Sequence, residues 1–237
     1  IYTEAGNDQI SGGAGSDYAE AGSGNDTVTG GDGADEIYGE AGDDVISGGN
    51  DDDYAEGNAG NDSVSGGNGA DELYGDAGND TVGGDAGNDY ISDSAGTNVL
   101  SGGDGNDDIY GGNGSDTISG GAGNDYIGVG WGSEGIDISA NTANGGDGDD
   151  EIYGADGKDT LYGDAGDDIL NGGAGIDTLS GGAGADTFAT EEGHSSLVAS
   201  QGDRIIDWDN SDTLVFAAGT VSATTYIETV ANDYVSA

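Results

Sequence analysis

Gly102-Gly-Asp-Gly-Asn-Asp-Asp-Ile-Tyr110, Gly111-Gly-Asn-Gly-Ser-Asp-Thr-Ile-Ser119 and Gly120-Gly-Ala-Gly-Asn-Asp-Tyr-Ile-Gly128 are three consecutive copies of one nine-residue unit. Written G-G-x-G-x-D-x-U-x, with U apolar, the unit extends from there in both directions. Further clear copies start at Gly12, Gly30, Gly39, Gly66, Gly145, Gly154, Gly163, Gly172 and Gly181. Counting degenerate copies from Thr3, and setting Ile138 to Asn144 aside as a seven-residue insertion, there are 20 units ending at Ala189. Position six is Asp in 18 of them, with Asn98 and Glu134 the exceptions. Position four is Gly in 19, with Asp51 the exception.

Each position has a physical reading. Gly at position four permits the positive φ of a tight turn, and small residues at positions one and two let neighbouring backbones stack closely. Asp51 is a workable substitute, because Asp enters the left-handed region more readily than most residues. Position eight is apolar, as at Val28, Ile46, Leu73, Ile109, Leu161 and Phe188, between mostly polar neighbours. That alternation describes a short strand with one side chain turned inward. Ala19 and Ala55 occupy the same inward position with less volume. One such side chain per nine residues makes a thin core, whose burial returns less free energy than the ordering of nine residues costs.

The 237 residues include 53 Gly and no Pro, Cys or Met, and 49 acidic side chains face 2 basic ones for a formal charge of -47. A chain of that charge repels itself and stays unfolded unless something neutralises it. Position-six carboxylates stacked at the strand spacing of about 4.8 Å would repel strongly if bare. A hard dication removes the repulsion. Ca²⁺ takes about six to eight oxygens in flexible geometry, which suits a Gly-rich turn better than the strict octahedron of Mg²⁺.

Other classes are disfavoured. Nucleic acid is not an expected partner, since Lys158 and Arg204 stand alone. No apolar run is long enough for a transmembrane helix. Without Cys there is no disulfide or thiolate site. His194 is the only His, and neither H-E-x-x-H nor G-x-S-x-G occurs, so no enzyme and no catalytic residue is expected. Gly130-x-Gly132-x-x-Gly135 has the spacing of a dinucleotide loop but lacks the surrounding strand–helix–strand unit.

The nonapeptide resembles the calcium-binding repeat of the RTX (repeats-in-toxin) family, over residues 3 to 189, about four-fifths of the chain. That resemblance implies an all-β fold, a right-handed parallel β-roll (a β-solenoid) with two nonapeptides per turn and about ten turns. Each unit would form a turn over six residues and a strand over three, and each Ca²⁺ would be shared between units two apart. Binding and folding would then be one event. The implied domains are a roll over 1–189, with an irregular loop at 129–144 near Trp131, and a small β-rich capping segment over 190–237.

Two units per turn separate the metal-ligand candidates into two columns. Even units carry Asp17, Asp35, Asp53, Asp71, Asp89, Asp107, Asp125, Asp150, Asp168 and Asp186; odd units carry Asp8, Asp26, Asp44, Asp62, Asp80, Asp116, Asp159 and Asp177. A continuous ion row is expected on the even side, with weaker odd sites near Asn98 and Glu134. The same division puts Asp-Tyr pairs at Tyr18, Tyr54, Tyr90 and Tyr126, each 36 residues apart, together with Tyr38, Tyr74, Tyr110 and Tyr153, on one face. Glu20, Glu36, Glu56, Glu72 and Glu151 interleave with them. The opposite face is hydroxylic, with Thr27, Thr29, Ser47, Ser63, Ser65, Thr81, Ser101, Thr117 and Ser119.

Within the family, the segment Asp203 to Phe216 resembles the element that caps the open end of the roll, with Ile205, Ile206, Trp208, Leu214, Val215 and Phe216 as covering side chains. RTX proteins usually leave the cell through a type I exporter, so the expected location is secreted, extracellular, at a bacterial cell surface. The functional expectation is a calcium-loaded structural or adhesive module of a surface layer, filament or adhesin. Its partners would be other copies of itself or a cell-surface glycan on the Tyr-rich face. The alternative is the C-terminal secretion or folding module of an extracellular protease, lipase or polysaccharide-modifying enzyme. Ice binding through the hydroxylic face is a third reading, weakened by Val45, Val99 and Gly83.

Overall fold

A computed structural model describes residues 1–130, 138–190 and 203–216. Among these residues the chain is all-β without a helix; most of its strands form two eleven-stranded parallel sheets, and four two-residue strands pair as two small ones. One large sheet takes its strands from the odd units and the other from the even units. The register advances by 18 residues per strand, pairing Ile10 with Val28 and Val28 with Ile46 in the odd sheet, and Leu73 with Ile91 and Ile91 with Ile109 in the even sheet. Two nonapeptides therefore make one turn of a parallel β-solenoid of about ten turns. Position eight lies between the sheets, where Ile46, Leu73, Leu100, Ile127 and Leu170 are fully buried. Ala19 and Ala55 are buried there as well.

Most strands of the even sheet have the three residues expected, as at Tyr54–Glu56 and Asp108–Tyr110, whereas those of the odd sheet are mostly longer. Thr27–Asp32 and Val99–Asp104 each run from position seven across the unit boundary to position three of the next unit. Positive φ appears at two positions of the unit rather than one. Asp51 at position four has φ 74°, as its place in the repeat demanded, but position two also carries positive φ at Glu40, Asn58, Asp76, Asp85, Ala155 and Asp164. Position one has a different constraint. A Cβ on Gly12 would come within 2.7 Å of both Asp17 Oδ2 and the carbonyl oxygen of Gly30 in the next turn.

The insertion sits earlier than the sequence suggested. Thr117–Ala122 pairs with Thr142–Asp147, aligning Ile118 with Ala143, so Asn141 and not Glu134 takes position six. Ala143 fills the inward position eight of that unit, and the seven added residues fall between Val129 and Ile138. This register lets the strand run straight into Gly145-Gly146, and it places a short Asn side chain where Glu is a methylene too long. Trp131, Glu134 and Ile136 lie outside the described residues.

The segment expected to cap the roll adds one further strand to each sheet. Arg204–Ile205 extends the odd sheet beside Thr178 and Leu179, and Thr213–Phe216 extends the even sheet beside Thr187 to Thr190. Ile205, Trp208 and Leu214 pack on the core, with the Trp208 ring 6.0 Å from that of Phe188. Ile206 and Val215, expected to cover the core, point outward. The side chain of Phe216, His194 and the segment from Thr220 to Ala237 lie outside the described residues.

Candidate metal centre

The position-six side chains are held by the backbone of the neighbouring turn. In the even column the N–H of Asp17 donates to Oδ1 of Asp35 at 2.7 Å, Asp35 to Asp53 at 2.8 Å and Asp53 to Asp71 at 2.7 Å. The same bond continues through Asp89, Asp107, Asp125, Asp150, Asp168 and Asp186 and ends on Asp212. The odd column runs from Asp8 through Asp26, Asp44, Asp62 and Asp80 to Asn98, then through Asp116, Asn141, Asp159 and Asp177 to Asp203. Each column is thus unbroken as a hydrogen-bond ladder. Asp203 and Asp212, nine residues apart, are position-six residues that the repeat pattern did not reveal.

One carboxylate oxygen is used by the ladder and the other is left over. Oδ2 of Asp26, Asp35, Asp44, Asp53, Asp62, Asp71, Asp80, Asp89, Asp107, Asp125, Asp150, Asp168 and Asp177 is buried with no donor. Burial pushes Asp71 and Asp150 up to about 7, against the pull of the neighbouring amide, and the flanking aspartates push the same way. Asp53, Asp62, Asp89, Asp107, Asp125 and Asp168 rise to about 6, burial again leading. Buried, donorless anionic oxygens in a stack need a cation. No three acidic or His side chains converge among the described residues, so side chains alone do not complete a shell. Main-chain oxygens would supply the rest: the Gly30 carbonyl lies, like Asp17 Oδ2, against the open side of Gly12. Such an oxygen-only set fits Ca²⁺.

A second ladder runs outside the first. At position five, Oδ1 of Asn7 accepts from the N–H of Asn25, Asn25 from Asp43, Asp43 from Asn61 and Asn61 from Asn79, at 2.9–3.2 Å. Its bonds point opposite to those of position six, so adjacent amides of each turn are tied to the turns on either side. Position five reads as variable in the sequence. Its frequent Asn and Asp were the available signal.

The two outer faces differ as the column assignment required. On the even sheet, Tyr2, Tyr18, Tyr38, Tyr54, Tyr74, Tyr90, Tyr110, Tyr126 and Tyr153 form an uninterrupted stack with ring centroids 5.4–5.9 Å apart. That spacing is favourable for tilted aromatic pairs. The Tyr38 hydroxyl donates to Glu36 at 2.7 Å, and Tyr18, Tyr54, Tyr74 and Tyr153 donate likewise to Glu20, Glu56, Glu72 and Glu151 in their own strands. These bonds and burial hold the Tyr38, Tyr54 and Tyr74 hydroxyls protonated, well above the ordinary tyrosine range. The odd face is Ser- and Thr-rich, with Val45 and Val99 exposed.

A family model described as the RTX calcium-binding nonapeptide repeat (4 copies) matches in overlapping windows, including residues 1–28, 20–55, 47–82, 83–118, 102–138, 136–170 and 162–197. The chain belongs to the RTX repeat family. No curated protein matches it. As an RTX module it is a calcium-binding β-roll with stacked Asp turns, and its two sheets and 18-residue register are the geometry that stacks them. The RTX windows stop at residue 197, short of Asp203 and Asp212. The turn those two residues complete therefore lies outside the matched repeats.

Proposed function

We propose that this chain is a secreted extracellular module that folds as Ca²⁺ enters between its turns, and that it serves as a structural or adhesive rod at a bacterial surface, without catalysis. The position-six aspartates of both columns would hold the ions through Oδ2, with main-chain oxygens completing each shell. The observation that carries this reading is the row of buried Oδ2 atoms with no donor. Circular dichroism of the chain titrated with calcium from an EDTA-treated state, with magnesium as control, tests it. A cooperative coil-to-β transition specific to calcium is expected; a chain already folded in EDTA would overturn it.

The Tyr stack supports the adhesive part of the reading, with a second copy of the rod or a surface glycan as partner. Nine rings in line, five of them bonded to glutamates of their own strands, make a long amphipathic strip of the kind that stacks on sugar rings or on an identical strip. Substituting Tyr54, Tyr74 and Tyr90 by Ser should abolish self-association in sedimentation or glycan retention while leaving the calcium midpoint in place. Unchanged association and retention would remove the strip from the function.

A further inference from the structure

The two outer faces of the rod differ in charge as well as in side-chain type. From Gln9 to Ser180, the outward positions seven and nine of the odd units hold no charged side chain, in a chain with a formal charge of -47. Ser and Thr fill most of them, with Val45 51% and Val99 50% exposed. One turn further on, Arg204 is exposed at position seven of the same sheet. Carboxylates reach the margin of this face, where Asp85 accepts from the Ser65 hydroxyl and Asp207 from Ser180, each at 2.6 Å. The even face is the reverse. Glu20, Glu36, Glu56, Glu72, Asp108 and Glu151 stand on it in a chequerboard with the tyrosines. Tyr18 lies across from Glu36, Glu36 from Tyr54 and Tyr54 from Glu72, so that acids flank rings rather than one another.

We propose that the Tyr/Glu face of one rod docks on the Ser/Thr face of a second copy, front to back. The inference rests on the structural or adhesive reading above and names the surface that the Tyr strip meets. Two Tyr/Glu faces brought together would set carboxylates against carboxylates, which opposes an identical-strip contact. The odd face meets them instead with hydroxyl donors, with methyl groups for the rings and with the Arg204 cation. The faces also match in spacing, because both sheets belong to one solenoid and advance by 18 residues per strand. A contact made in one turn can therefore repeat in the next. Eleven strands at about 4.8 Å make a face roughly 50 Å long, and a width of about 15 Å offers about 750 Å² on each partner, near the size of a standard stable interface. Since the two docking faces differ, each added copy leaves one of each kind free, and the contact builds an open stack of rods rather than a closed dimer.

The test is sedimentation velocity of the full chain in calcium over rising protein concentration, with circular dichroism to confirm that each variant is folded. Wild type should grow past the dimer. Thr81→Asp with Thr117→Asp puts two carboxylates on the odd face, two turns apart, and should weaken association by about tenfold or more as they meet the acids of the even face. Thr81→Lys with Thr117→Lys should associate at least as well as wild type, which separates charge from disturbance of the face. The triple variant of Tyr54, Tyr74 and Tyr90 to Ser should be monomeric alone, yet form one-to-one dimers and nothing larger when mixed with the Asp variant, each supplying the face the other lacks. If the serine variant does not fold, the Asp and Lys variants decide the question. An Asp variant that assembles like wild type, equal losses in the Asp and Lys variants, or no complex in the mixture of folded variants overturns the docking. A monomeric wild type overturns it too: if that chain is still retained on a glycan matrix, the adhesive reading stands, and if it is not, that reading falls as well.

Discussion

The even column carries Asp at every turn from Asp17 to Asp212, whereas the odd column carries Asn98 and Asn141 among its aspartates. Both columns nevertheless keep the same amide-to-side-chain bond at every step, at 2.9 Å into Asn98 and 2.8 Å into Asn141. The geometry of the turn and its charge are therefore separate requirements. Any short side chain with an oxygen at Oδ1 satisfies the first. Only a carboxylate supplies the second, through the inward oxygen.

The sharpest way to break that separation is at Asp107, in the uninterrupted column. Asp107→Ala removes the acceptor for the N–H of Asp89, leaving a buried amide unpaired at a cost of about 1–3 kcal/mol, and it removes an anionic oxygen as well. Asp107→Asn removes only the charge. Calorimetry at saturating calcium should show the Ala variant melting well below the Asn variant, with both needing more calcium than wild type to fold. Equal melting temperatures would mean that the ladder contributes nothing apart from the ion.

Much of this contrast was legible in the sequence. The nine-residue period separates the columns, position eight gives the core, and Asn98 stands out against its neighbours. The eleventh turn was not legible, because Asp203 and Asp212 keep the spacing but their units have lost the glycines by which the repeat is recognised. What survives there is the pair of features the fold uses, an acceptor at position six and an apolar residue at position eight, Ile205 and Leu214. The insertion was misplaced for a related reason. Glu134 preserves the acidic pattern, but the backbone bond selects side-chain length, and Asn141 has it.

Protons should partly substitute for calcium in the even column. Asp71 and Asp150 stand near 7 in the calcium-free fold, mainly through burial, against about 4 for an unfolded Asp. The folded chain then binds more protons than the unfolded one between about pH 4 and 7, so its calcium-free stability falls as pH rises through that window. In EDTA, the β signal in circular dichroism should grow as pH drops from about 7.5 to about 5, and Asp71→Asn should make the growth shallower. A flat response would show that carboxylate repulsion is not what keeps the calcium-free chain open.

The smallest effect, and the most selective, is expected from Asn141→Asp. Asn141 already accepts from Asp116 and donates its own N–H to Asp159 at 2.9 Å, so the ladder should survive the change intact. What the variant adds is one buried anionic oxygen in the interrupted column. With saturating calcium that oxygen gains an ion, and stability should rise by about 1 kcal/mol, roughly 2–4 °C in a chain of this size. At limiting calcium, where the added site is left unfilled, the same oxygen only adds repulsion, and stability should fall. The change of sign between saturating and limiting calcium is the signature, since a packing effect at Asn141 would shift both melting curves the same way.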